Sequence, residues 1–385
     1  MTKLLVGRDD NMANLILDSL QIRNFRVFRD LSINRLERVN LIVGKNNVGK
    51  TCVLEALRLF ANRGSPDVLW DILEARDEGG HNLSRNTDDI EQSLALKYLF
   101  HGRRDITEIP DPISIGSVHS QKDLLSIALG WYTRQVNEQG TGEFKLLQPK
   151  EYDTADSPVL RLTVQVDKQP ISSYTITPDF RRRSPRPVSQ AIKCIFIGAS
   201  GLENMQISRL WDSIALLDLE GDVLAGLRII APDVERLSII GDEEVRAGIG
   251  RRLERIPIVK TSSSEAPIPI KSLGEGMNRM LGLALALVNT RNGMLLVDEI
   301  ESGLHYSAQT DMWRLVFQVA QRLNVQVFAT THSLDCIKSF EKAAQEDTNQ
   351  EGLLIRLGHK NENIIPTLFD EEELAIVARE QIEVR

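Results

Sequence analysis

The chain has 385 residues, a formal net charge of −8, and a composition that is 42% hydrophobic and 26% charged. That length suits two or three globular units, or one large domain with insertions, and needs no covalent staples to bury a core. The lack of eighteen consecutive apolar residues argues against a membrane span, the acidic balance against nucleic-acid binding over the whole surface, and the 5% aromatic content against base-stacking platforms.

Cys52, Cys194 and Cys336 sit in apolar stretches with neither disulfide nor metal spacing, so they read as buried thiols of a reducing compartment. The start, MTKLLVGRDDNMANLIL, lacks a leader pattern, and a cytoplasmic protein is expected. Residues 14–33 alternate apolar and polar side chains through a turn at Asn24, which predicts a hairpin. Val39 to Val43 is a β-branched run, and it leads into Gly44-Lys45-Asn46-Asn47-Val48-Gly49-Lys50-Thr51 and an apolar helix through Cys52, Leu54, Leu57 and Phe60. This strand, glycine loop and helix fit the phosphate-loop pattern. The glycines let backbone amides turn toward a polyphosphate, and the helix start adds unpaired N–H groups. Asn46, Asn47, Val48, Gly49, Lys50, Thr51 and Cys52 are the expected nucleotide-binding set, with Lys50 reaching the β and γ phosphates and Thr51 offering its hydroxyl to Mg²⁺.

Beyond a short helix at Pro66 to Ala75, Ile90 to Phe100 reads as a strand. Residues 101–190 look like an inserted or elaborated β region, with strands at Phe144 to Leu147, Val159 to Val166 and Ile171 to Ile176 and a helix at Lys122 to Val136. The basic run from Arg181 to Arg186 is either a solvated loop or a contact for nucleic acid or an acidic partner. Ala191 to Ile197 is an apolar strand, and Ile207 to Leu219 and Asp222 to Ile230 have helical periodicity, which makes 191–265 a mainly helical lobe. Short strands follow between Ile256 and Ile270.

Ser272-Leu273-Gly274-Glu275-Gly276 precedes the apolar helix Met280 to Val288. A helix cap explains Ser272 and the glycines about as well as a second anion site does. Met294 to Val297 runs into Asp298-Glu299, His305 to Leu323 is a helix, and Val325 to Thr330 runs into His332. A strand, helix, strand succession in a parallel sheet puts both strand ends on one edge, where such sheets bind ligands. After Ser333, strands at Leu353 to Leu357 and Ile364 to Leu368 and a helix at Glu371 to Glu380 are expected.

These motifs occur in the order found in ATP-binding-cassette ATPases. Through IRNFRVFRDLSI, LIVGKNNVGKTCVLEAL, SLGEGMNRML, LLVDEIESGLHY and FATTHSLD the chain resembles their soluble branch, which holds chromosome-maintenance, RecF-type and double-strand-break-repair heads, and within it the small bacterial AAA-family ATPases of the OLD-like group. The resemblance implies an α/β P-loop NTPase head with an N-terminal antiparallel β subdomain and a helical lobe. Residues 1–100 and 266–385 would form the head, with 101–190 and 191–265 elaborating it. Gly44 to Thr51 becomes the Walker A motif, Ser272, Gly274, Glu275 and Gly276 the signature, Asp298 a metal-orienting carboxylate, Glu299 the base, Ser302 to His305 the D-loop, and His332 the γ-phosphate sensor. Glu275 departs from the transporter form, where glycine is usual. Gln92, Gln190 and Gln206 are the candidates for a glutamine loop, and Arg26 for a further nucleotide ligand.

In that family the signature of one subunit completes the site of another, so ATP and Mg²⁺ are the implied cofactors and a homodimer or higher oligomer the implied assembly. No Toprim nuclease and no long coiled-coil arm is legible, so the expected effector is a separate polypeptide, a nuclease or toxin of an antiphage or toxin-antitoxin system. A RecF-like DNA-binding factor and an ATP-held scaffold are the alternatives.

Overall fold

The computed structural model describes residues 15–78, 95–103, 111–136, 142–151, 154–155, 157–176, 191–215, 217–241, 255–346, 352–361 and 363–369. Three sheets organise them. The first is antiparallel and combines β1 (Leu20–Phe25), β2 (Phe28–Ile33), β4 (Ile113–Gly116), β5 (Leu125–Val136), β6 (Gly142–Leu146), β7 (Val159–Val166) and β8 (Gln169–Thr175) in the order β2-β1-β4-β5-β7-β8, with β6 paired to β5. The second holds β3 (Val39–Val43), β9 (Cys194–Ile197), β13 (Met294–Val297), β14 (Gln326–Thr330), β15 (Gly352–Lys360) and β16 (Asn363–Phe369) in the order β16-β15-β3-β14-β13-β9. All its pairings are parallel except β15 with β16. The third is small, β10 (Val234–Gly241), β11 (Arg255–Thr261) and β12 (Ile268–Pro269).

The parallel sheet is buried on both faces. Every residue of β3, β13 and β14 is buried, as expected when both sides are covered. Alternate side chains feed two cores. On one face Ile42, Leu296 and Phe328 meet α1 (Lys50–Ala61) and the inner face of the antiparallel sheet. On the other, Leu41, Leu295 and Val327 meet α5 (Glu275–Asn289), α6 (Tyr306–Leu323) and α7 (Leu334–Gln345), numbered after α2 (Pro66–Glu74), α3 (Asn204–Asp212) and α4 (Glu220–Arg228). In this second core the fully buried Trp313 packs edge-on against Phe340 with ring centroids 4.9 Å apart.

Several sequence expectations change here. Residues 125–136 form a strand, not a helix: Leu125, Ile127 and Leu129 are buried at period two, and β4 and β7 pair along both edges. Because β4 pairs with β1, strands from the 101–190 region extend the N-terminal hairpin's own sheet. That hairpin turns at Arg26 and Val27, beyond Asn24, which sits at φ 53° inside β1. Residues 95–99 make a 3₁₀ turn that buries Leu96 and Leu99, in place of the expected strand. The lobe at 191–265 is mixed, since Val234–Gly241 and Arg255–Thr261 form an antiparallel pair beside α3 and α4. Helix α7 is absent from the sequence expectations. Its signal was present, for Ser333 accepts a hydrogen bond from the Cys336 N–H at 3.3 Å, and Cys336, Ile337, Phe340, Ala343 and Ala344 line one buried face. The basic run 181–186 and the helix at 371–380 lie outside the described residues.

Among the described residues, no helix is long and apolar enough to cross a membrane. Cys52 and Cys336 are buried and Cys194 partly so; desolvation pushes their thiols up to about 11, 12 and 12 respectively. Replacing Trp313 by alanine removes the centre of the second core and is expected to cost about 3–5 kcal/mol of stability, read as a lower denaturant midpoint with an unchanged slope.

Candidate functional site

The parallel pairing of β3, β14 and β13 brings three strand ends to one edge. Beyond β3 the chain turns through Gly44 at φ 143°, where a β-carbon would stand 2.5 Å from the Leu357 carbonyl oxygen. Asn47 and Gly49 are also left-handed, at φ 64° and 89°. A β-carbon on Gly49 would lie 2.7 Å from the Phe28 ring, so the loop admits only glycine there and packs tightly on the β1–β2 hairpin. These turns deliver α1 with its N-terminal amides facing the sheet edge.

A cavity of about 470 Å³ opens at that edge. Of the residues the sequence singles out, Asn46, Asn47, Gly49, Lys50, Thr51, Cys52, Glu299 and His332 line it, and Val27 and Arg76 join them. Lys50 is curled back, its ammonium donating to the carbonyls of Gly44 at 2.7 Å and Lys45 at 3.0 Å. Burial lowers its pKa below the ordinary 10.5, while the carboxylates of Asp298, Glu299 and Glu301 work in the opposite direction. Val48 is buried beneath the loop.

Asp298 is the hub. Its carboxylate accepts from the Thr51 hydroxyl at 3.1 Å and from the Thr330 hydroxyl at 2.6 Å, and the Thr330 oxygen in turn accepts the Glu299 N–H at 2.9 Å. Glu299 occupies the left-handed region at φ 48°, an uncommon place for a glutamate, held from both sides. Its carboxylate lies 3.7 Å from His332 Nε2, and both side chains reach solvent. Glu301 steadies the histidine's backbone by accepting the His332 N–H at 3.0 Å. Neither Thr330 nor Arg76 was legible as part of the site, because a threonine inside an apolar strand and an arginine after a helix carry no motif.

The oxygen donors fit one cation in particular. Among the described residues no cluster of three or more His, Cys, Asp or Glu side chains could cage a metal. Thr51 and Asp298 instead offer two hard oxygens beside a phosphate loop, the kind of set that suits Mg²⁺ when phosphates and water supply the remaining ligands. A bound triphosphate would bring further negative charge beside the carboxylates of Asp298, Glu299 and Glu301, which a divalent ion would offset.

Other expected residues lie elsewhere. Arg26 does not line the cavity: only 7% exposed, its guanidinium faces Glu55 at 3.3 Å, pairs with Glu78 and donates to the Tyr98 carbonyl at 3.1 Å. The φ of 53° at the hairpin turn directs it behind α1, and the neighbouring Val27 lines the cavity instead. None of Ser272, Gly274, Glu275 and Gly276 borders the cavity. Ser272 lies in a 3₁₀ turn and caps nothing; Gly274, at φ 102°, occupies the position before α5. Ser272, Gly274 and Glu275 are exposed, and Gly276 packs so closely that a β-carbon there would meet the Gly303 carbonyl oxygen at 2.8 Å. His305 caps α6, its Nδ1 accepting from the Ser307 N–H at 3.5 Å. Gln206 is engaged in the capping box of α3 with Glu203, while Gln92 and Gln190 fall outside the described residues.

Known proteins resemble this chain. An ATP/GTP phosphatase of Helicobacter pylori is 21% identical over 379 residues, spanning 93% of this chain and 97% of that protein. The DNA replication and repair protein RecF of Lachnoclostridium phytofermentans is 35% identical over 87 residues, 21% of this chain and 24% of RecF. A crystal structure of an SmcHead bound to the C-winged helix domain of ScpA superposes with a TM-score of 0.51 over 94% of this chain and 99% of that one at 11% identity, which shows a common fold. The sequence matches the AAA ATPase domain family over residues 16–163 and 204–337. The chain therefore belongs to that family and is an ATP-binding ATPase with the ATP-binding-cassette type of P-loop head, related to RecF.

Proposed function

We propose that the chain hydrolyses ATP with Mg²⁺ at composite sites formed by two copies, and that closure of the pair controls a separate effector protein. The observation that carries this reading is the incompleteness of the cavity. One wall has the phosphate loop, Thr51 with Asp298 hydrogen-bonded behind it, and Glu299, while the signature residues Ser272, Gly274 and Glu275 are exposed and border no part of it. A second copy would supply its own α5 start to the open side.

Within the site each residue has a distinct task. Lys50 would release its two loop carbonyls and donate to the β and γ phosphates, and the loop amides would hold the remaining oxygens. Thr51 and Asp298 would hold Mg²⁺, which neutralises charge on the transferring phosphoryl group. Glu299 would take a proton from the attacking water, with His332 beside it donating to the γ-phosphate. Charge developing on the equatorial oxygens would be met by Lys50 and by the partner copy's signature amides.

The effector, in this reading a nuclease or toxin of an antiphage or toxin-antitoxin system, is inferred from the likeness to OLD-like ATPases. The RecF similarity favours a second reading, an ATP-dependent DNA-binding factor, distinguished by ATP-enhanced binding to duplex ends at low salt. An ATP-held scaffold would show the same dimer with negligible turnover.

Three outcomes test the site. Glu299→Gln should lower phosphate release about 10²–10⁴-fold while keeping ATP affinity and shifting the mass toward a dimer in ATP; an unchanged rate or a monomer in saturating ATP contradicts the composite site. Thr330→Val removes a hydroxyl that joins Asp298 to Glu299. It should slow turnover by roughly tenfold or more and, by stranding a polar group, cost about 1–3 kcal/mol of stability. Finally, ATP should raise the lowered pKa of Lys50. Below the apo value the ammonium is charged with and without ATP. As pH climbs from there toward 10.5, the free protein loses the proton and the complex keeps it, so affinity falls and binding takes up protons. Calorimetry in two buffers of different ionisation heat measures that uptake.

A further inference from the structure

Arg279 is a buried cation, and among the described residues no carboxylate is hydrogen-bonded to it. It is 5% exposed and sits in the second turn of α5. Its guanidinium instead grips the backbone of two neighbouring strand ends. Nη1 donates to the Gly198 carbonyl at 2.6 Å, just past β9, and Nη2 donates to the carbonyls of Asp298 at 2.7 Å and Glu299 at 2.9 Å, just past β13. A planar fork with several fixed donors can hold two separate chains at once, which a lysine ammonium cannot reproduce with the same geometry.

The grip matters because of where Glu299 sits. Its backbone is left-handed, at φ 48°, and its peptide groups are fixed at both ends: the N–H by Thr330 and the carbonyl by Arg279. Thr330 belongs to the sheet, whereas Arg279 belongs to the helix that begins with the signature residues. One turn earlier on that helix, Gly276 rests on the Gly303 carbonyl, and Glu275 lies against Gly303. The first two turns of α5 thus touch both the 302–305 loop and the peptide that aims Glu299.

We propose that Arg279 is a positioning residue for hydrolysis: it sets the backbone of Glu299, and so makes the aim of the base depend on the position of helix α5. The second clause rests on the composite-site reading, in which another copy's nucleotide occupies the start of α5. Nucleotide bound on the outside of the helix would then be felt at Glu299 through one rigid side chain, without any contact between that nucleotide and the base.

Steady-state phosphate release and equilibrium ATP binding on Arg279→Lys and Arg279→Gln decide the matter, each alone and combined with Glu299→Gln. The expected result is a kcat lower by roughly thirtyfold or more, an ATP Kd within about threefold of the unsubstituted protein, and no further loss when either change is added to Glu299→Gln, because both act on one step. A kcat within about twofold of the unsubstituted protein overturns the proposal. So does a loss of ATP binding in both variants, or a loss that multiplies with that of Glu299→Gln, since either marks Arg279 as a general support of the fold. The dimer is read separately. If the Glu299→Gln protein stays monomeric in ATP, the composite-site reading fails and the dependence on a second copy goes with it, while the kcat comparison still decides whether Arg279 positions Glu299.

Discussion

The arrangement depends on one carboxylate. Asp298 ends a strand that is hydrogen-bonded in parallel to its neighbour, and its side chain accepts hydroxyl donors from the start of α1 and the end of β14. Three segments that are far apart in sequence therefore meet at a single acidic group. Thr51 is 247 residues from Asp298, and a change in either strand register would part them. The register is secured by burial, since every side chain of β3, β13 and β14 is covered by one of two cores. A shift by one residue would exchange the side chains between cores of different shape.

Rigidity on this edge is uneven, and the unevenness has a chemical sense. The loop glycines are trapped between the hairpin and the sheet, and Asp298 is held by two hydroxyls. Glu299 and His332, by contrast, each leave about two-fifths of the side chain exposed, 42% in both cases. In the proposed reading, Thr51 and Asp298 beside the phosphates are thus held in place, and Glu299 and His332 stand at the open side, where a second copy would exclude solvent and strengthen their electrostatics. Lys50, curled onto its own loop carbonyls, holds donors that phosphates would take over.

Some of this was legible in the linear order of residues. A β-branched run, glycines at fixed offsets and a lysine-threonine pair have one local physical use, so the loop, its helix and most of the cavity lining were readable, as were the acidic pair and the histidine at two strand ends. The errors have physical causes too. Residues 125–136 carry short-range patterns compatible with helix or strand, and only pairing with β4 and β7 settles the matter. Arg26 sits beside the loop in sequence, but a left-handed turn sends its side chain to Glu55 and Glu78.

By itself the sequence determined the chemistry available: one phosphate loop, one acidic strand end, one second glycine-rich helix start, and their order along the chain. Local geometry is enough for that, because a turn or a helix start is made by a few consecutive residues. Tertiary structure alone decided which of these groups share a cavity. It brought Thr330 to the junction of Asp298 and Glu299, placed Arg76 in the cavity lining, buried Arg26 away from it, kept Ser272 and Glu275 out of the cavity, and joined Arg279 to the peptide of Glu299. Those facts come from strand order and packing between segments tens to hundreds of residues apart, which no local pattern encodes.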